Sequence, residues 1–192
     1  MDIRRTEDNL YEAYIFEQHV DPRGIAAVKT ALAAAPGVEF VAQFVGAFSL
    51  FARVVADDLG QLQQRIAEDY FEAGIRSDYS LNLTGPKPTA PKRGSPPIFA
   101  MVCCSTDASD VFALDRAVEA SFQRLPDGQS YASAVVNAPD FDILVDLGAQ
   151  NLEDALDLVV RLRNELPAGA RTATAFADLR DNEIRPTQTA PS

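Results

Sequence analysis

Apolar and polar positions fall into two series that run in the same order. In the first, LYEAYIFEQ at 10–18 alternates as a strand, and Ile25, Val28, Leu32 and Ala35 then recur at helical spacing. Asp21 and Pro22 suit the N-cap and first helical position, and Pro36-Gly37 ends the helix. VEFVAQFV and SLFARVV follow as strands around a tight turn at Gly46-Ala47. Asp57 or Asp58 caps a second helix carrying Leu59, Leu62, Ile66 and Tyr70, and IRSDYSLNL is a fourth strand. In the second series IFAMVCCS is a strand, and Asp107 or Ser109 caps a helix carrying Val111, Leu114, Val118, Phe122 and Leu125. SYASAVVN and FDILVDLG form a hairpin around Ala138-Pro139-Asp140. A helix runs from Asn151 through Leu152, Leu156, Val159 and Leu162 to Leu166, before RTATAFADL.

Each series reads β-α-β-β-α-β, the ferredoxin-like order. The two also align. Phe48 falls on Phe141 and stays in register to Leu59 and Leu152, and Ala73-Gly74 falls on Ala168-Gly169, which marks an internal duplication. Between them lies GPKPTAPKRGSPP, whose prolines forbid a helix or central strand and favour an extended tether. The expected organisation is a repeat over 10–84, a linker over 85–97, a repeat over 98–180 and a mobile tail over 181–192.

A ferredoxin-like sheet has helices on one face, yet VEFVAQFV is apolar on both. Val38, Phe40, Ala42 and Phe44 make one set, Val41 and Val45 the other. IFAMVCCS behaves the same way. The predicted fold is therefore α+β: two tandem ferredoxin-like repeats, sheets packed face to face as a pseudo-dimer resembling a dimeric α/β-barrel. Along 49–55 the alternation turns Leu50, Ala52 and Val54 toward the helices and Ser49, Phe51, Arg53 and Val55 toward the other sheet. In 142–148 the corresponding set is Asp142, Leu144, Asp146 and Gly148. Arg53 and Asp146 thus hold equivalent places with opposite charge, and Arg53 is expected to approach Asp142 or Asp146.

Composition narrows the function classes. A net charge of −11 over 192 residues argues against direct nucleic-acid binding, which needs clustered Lys and Arg. No apolar stretch reaches membrane-spanning length, and the start, MDIRRTEDNL, lacks the apolar core of a signal peptide. A cytoplasmic protein with no membrane partner is expected. With His19 as the single histidine there is no metal-ligand spacing, so no metal and no cofactor are expected. The adjacent Cys103 and Cys104 read as packing residues on opposite faces of a strand.

APGVEFVAQFVGAFSLFARVVADDLGQLQQRI with AGIRSDYSLNL, and FDILVDLGAQNLEDALDLVVRLRNELP with ARTATAFADL, resemble the ligand-binding (RAM) domain of the Lrp/AsnC regulators. The resemblance covers about 10–83 and 97–179. The first strand starts near residue 10, which leaves no room for that family's helix-turn-helix. The hairpin signature is divided: the first half keeps Gly46 and Phe48, the second Asp140, Phe141 and Asp142.

The resemblance implies a regulatory, non-enzymatic module whose partners are a small amino-acid-like effector, a protein partner or a second copy. Its candidate ligand-binding residues are Gly46, Phe48, Arg53, Asp140, Asp142 and Asp146, and no catalytic residue is expected. Two alternatives stand beside it. One is an interaction protein without a ligand. The other is a small cofactor-free enzyme, because sheet-paired ferredoxin-like chains also include oxygenases, haem-degrading enzymes and isomerases. Such an enzyme would need a proton-transfer group inside the barrel.

Overall fold

The computed structural model describes residues 10–17, 23–69, 78–83, 96–180 and 183–184. In chain order the elements are β1 (Tyr11–Glu17), α1 (Ile25–Ala34), β2 (Val38–Gln43), β3 (Val45–Gly46), β4 (Leu50–Ala56) and α2 (Leu59–Gln64), which runs into a π-helical turn at Arg65–Asp69. Then come β5 (Asp78–Asn82), β6 (Ile98–Ser105), α3 (Val111–Ser121), β7 (Ser130–Asn137), β8 (Ile143–Ala149), α4 (Leu152–Glu165), β9 (Arg171–Asp178) and β10 (Glu183–Ile184). The fold is α+β, with a large antiparallel sheet and four helices among the described residues.

The sheet order is β10-β2-β4-β1-β5-β7-β8-β6-β9-β3. Phe44 alone separates β2 from β3, yet β2 pairs with β4 while β3 pairs with β9 at the far end of the order. The sheet therefore returns to its starting strand and closes into a barrel. The tight turn expected at Gly46-Ala47 is in fact this crossing. Gly46 lies opposite Ala175, and its φ of 136° lets the backbones meet, because a Cβ there would sit 2.4 Å from the Thr174 carbonyl oxygen. The other seam joins β5 to β7 through Leu81–Asn137 and Asn82–Val136.

Strand alternation sorts the side chains into three cores. Tyr14, Phe16, Phe40, Phe51, Met101 and Leu144 belong to one cluster inside the barrel, which both halves of the chain build together. Outside, α1 and α2 cover Ala13, Ile15, Val41, Leu50, Ala52 and Val54. The helices of the second half cover Ala100, Val102, Cys104, Val135, Ile143 and Val145. Cys103 faces inward and Cys104 outward, and both are free thiols. Burial pushes the Cys104 thiol up to about 12 and raises Cys103 as well, so neither carries a thiolate at neutral pH.

Several element ends differ from expectation. Gly24 precedes α1 with no side-chain cap, and the proposed Asp21-Pro22 start lies outside the described residues. Asp58 and Asn151 cap α2 and α4 through the Gln61 and Asp154 amides. For α3 the cap is Asp110, whose carboxylate accepts from the Ala113 amide at 2.9 Å; Asp107 and Ser109 do not serve. Helix α4 buries Ala155, Leu158, Val159 and Leu162, which leaves Leu152, Leu156 and Val160 outside. Glu183–Ile184, in the segment expected as a mobile tail, pair with Ala42 and Val41. His19, Tyr70, Ala73-Gly74 and the linker, apart from Pro96 and Pro97, lie outside the described residues. No described helix is long and apolar enough to cross a membrane.

Candidate active site

The barrel interior is aromatic and aliphatic, with a polar group set into it. Glu12 points inward from β1 and is 3% exposed. Its carboxylate accepts from Arg53 Nε, from the Tyr14 hydroxyl at 2.9 Å and from Asn82 Nδ2 at 2.6 Å. Arg53 Nη1 also donates to Glu39 Oε2 at 2.9 Å. Glu39 reaches it because the β2–β4 register slips between Val38 and Phe40. Burial alone would lower the Arg53 pKa, but the adjoining Glu12 and Glu39 carboxylates outweigh it and raise the value. These residues form a connected ion-pair network.

Asp146 has the reverse surroundings. It lies on the inner face of β8 between Met101 of β6 and Ala132 of β7, and is 4% exposed. Neither carboxylate oxygen has a hydrogen-bond partner among the described residues. Burial first, then the negative charge of Glu12, push its pKa well above the usual carboxylate range, and Arg53 only partly opposes this. The group is therefore held as a neutral acid over a pH range where an exposed aspartate is ionised.

Above Asp146 the barrel opens into a cleft of about 330 Å³. Phe16, Phe48 and Phe141 form its aromatic wall: the Phe16 ring meets Phe48 edge-on at 5.2 Å and Phe141 at 5.3 Å. Cys103 lies deepest on β6, with Ser105 and Arg171 opposite one another at the rim. Met101, the partner of Asp146, follows Cys103 two residues deeper on the same face. Asp146 thus sits about 7 Å along the strand beneath the cleft.

The structure divides the candidate residues from the sequence. Phe48 and Asp140 line the cleft, and Gly46 precedes Ala47, which also lines it. Arg53 and Asp146 lie in the interior. Asp142 turns away, its carboxylate accepting from the Thr106 amide at 2.9 Å. Arg53 comes near enough to Asp146 to pull its pKa down, as the expected approach to that residue required, but its ion pairs are with Glu12 and Glu39 and with neither aspartate. The reason is register. Tyr14 lies opposite Arg53, so Glu12, two residues away on the same face, is its diagonal neighbour. Sequence reasoning missed Glu12, Asn82 and Arg171. The available signal was Glu12 itself, a charge on the strand face that also carries Tyr14 and Phe16. Among the described residues no three His, Cys, Asp or Glu side chains converge on a metal-sized site.

No protein-family model matches the sequence, and no curated protein matches it. Solved structures do. An anthrone oxidase-like protein superposes with a TM-score of 0.56 at 11% identity, over 94% of this chain and 98% of its own. The siroheme decarboxylase NirDL gives 0.56 at 11% identity, over 86% and 71%. A proposed monooxygenase from Lactobacillus acidophilus gives 0.51 at 10%, over 88% and 96%. At these identities the likeness establishes the fold, that of dimeric α+β barrel proteins. It also overturns the Lrp/AsnC resemblance and the reading built on it, a non-enzymatic module of transcription regulation. These three structures are described as oxidase-like, decarboxylase and monooxygenase proteins, and none of the three is described as an Lrp/AsnC ligand-binding domain. The misleading residues are those that any ferredoxin-like module needs for its turns and strands.

Proposed function

We propose that the chain is an enzyme that moves a proton on a small, largely apolar carbon acid entering through the barrel mouth, with Asp146 as the acid–base group. One observation carries this reading: a buried carboxyl without a hydrogen-bond partner among the described residues lies one layer beneath an aromatic cleft. Leaving such a group unpaired costs about 1–3 kcal/mol or more, so its presence calls for a role. A carboxylate whose pKa is raised toward neutrality is a stronger base than an exposed one, and its proton can be returned to the product. The Glu12–Arg53–Glu39 network supports the reading from the other wall, by fixing charge near Asp146 without contacting it. The similarity to an anthrone oxidase-like protein suggests an aryl ketone with an acidic C–H as the probe.

The barrel itself we infer to be two fused ferredoxin-like modules, 10–84 and 98–180. The matching strand orders β2-β4-β1-β5 and β7-β8-β6-β9 support this.

The test is hydrogen exchange in heavy water, followed by NMR at the acidic carbon of anthrone and of a ring-carboxylated anthrone. Wild-type protein is expected to accelerate exchange at least tenfold on one of them, with the rate rising as pH climbs past the ordinary carboxylate range. Asp146→Asn should return exchange to background. Wild-type exchange at the background rate for both compounds would overturn the proposal.

A further inference from the structure

The cleft carries more chemical information than an apolar hole. On one side the Phe16 ring stands edge-on to both Phe48 and Phe141, a geometry that receives a flat ring by stacking or edge contact. At about 330 Å³ it lies at the small end of ligand pockets, which run from roughly 300 to 1,000 Å³. That range suits one to three fused rings better than a nucleotide. At the rim Arg171 is exposed, and its guanidinium has no ion-pair partner among the described residues; its contact is with Ser105 Oγ at 3.5 Å. The cleft's carboxylate, Asp140, stands on the β7–β8 connection. Arg171 lies across β6 from β8, which places the two on the order of 10 Å apart at ordinary strand spacing. The Arg171 end of the mouth therefore offers a cation with free donors beside an aromatic slot.

We propose that the cleft binds a planar aromatic anion, its ring between Phe16, Phe48 and Phe141 and its carboxylate or phenolate on Arg171. Ser105 Oγ, opposite Arg171 on the neighbouring strand, is placed to share that anionic group. A guanidinium matches a carboxylate with two parallel hydrogen bonds, which fixes the ring's direction of entry as well as its charge. The inference rests on reading the barrel mouth as the substrate entrance, and it adds what that reading leaves open: the charge and shape of the substrate. It also assigns Arg171 a selective role that does not include the proton transfer at Asp146.

Calorimetric titration with 2-naphthoate and with its neutral isostere 2-naphthamide tests it without any turnover. Naphthoate is expected to bind wild-type protein at least tenfold more tightly than naphthamide, as loss of a charge-assisted contact implies. Arg171→Gln should erase that preference, and Phe141→Ala should weaken both ligands. Arg171 is exposed, so the Gln variant is expected to fold, which circular dichroism checks. Asp146→Asn should bind naphthoate like wild type, so a failed exchange reaction and a failed binding site are told apart. Equal binding of the two ligands, an unchanged preference in Arg171→Gln, or no binding of either would overturn the proposal.

Discussion

Arg53 on β4 faces Tyr14 on β1, and Asp146 on β8 faces Met101 on β6. Each charged residue sits mid-strand on the inner wall of its own half, yet their fates differ. Two residues before Tyr14 stands Glu12, which meets Arg53 and takes further donors from Tyr14 and Asn82. Two residues before Met101 stands Phe99, which gives Asp146 nothing to bond. The first half meets each buried charged group with ion pairs and hydrogen bonds, whereas the second favours the neutral form of its carboxyl because none of its described neighbours donates. A buried charge is thus decided by its diagonal strand neighbours more than by its own identity.

The largest expected effect comes from breaking the satisfied side. Arg53→Met leaves Glu12 buried without its countercharge and should cost about 3–5 kcal/mol in denaturant unfolding. A loss well below that would mean the network is solvated and the contrast between the halves is weaker than drawn. Next is the seam that brings the halves together. Gly46→Ala combines an unfavourable φ with a collision against the Thr174 carbonyl, and should cost about 2–3 kcal/mol. Gly169→Ala is the control: it has a similar φ of 98° but no atom within 4 Å of the new Cβ, so it should cost less. Equal losses would remove the close approach at β9 as the reason for glycine.

The smallest effect is the most diagnostic for the unpaired side. The folded-state pKa of Asp146 lies above its unfolded value, so its contribution to stability is intact in acid and is lost as pH rises toward the folded value. Asp146→Asn should remove that slope. Thermal unfolding from about pH 4 to about pH 8 should show the variant gaining on wild type with pH, by on the order of 1 kcal/mol at the upper end. Parallel curves would mean that Asp146 is hydrated or paired in solution.

Much of this fold was legible in the chain. Period-two alternation in LFARVVA separates Leu50, Ala52 and Val54 from Phe51 and Arg53, and period-three-and-four spacing marks the helices. Those signals are local, and they survive because each residue's face is set by its immediate backbone. The candidate site was legible only in fragments: Phe48 and Asp140 belong to the cleft, while Arg171 sits more than 120 positions from Phe48 in the chain and reaches the same rim only through β6.

The sequence by itself determined the order of strands and helices, the faces on which Arg53 and Asp146 stand, and the need for each sheet to be covered on both sides. Tertiary structure alone decided that β3 would cross to β9 and close the barrel, that Arg53 would pair with Glu12 instead of an aspartate from the other half, and that Asp146 would be left without a donor among the described residues. The physical reason is that alternation is written every two residues, whereas a hydrogen bond across a barrel depends on register between strands far apart in the chain. A slip of one residue would send every one of those side chains to the opposite face.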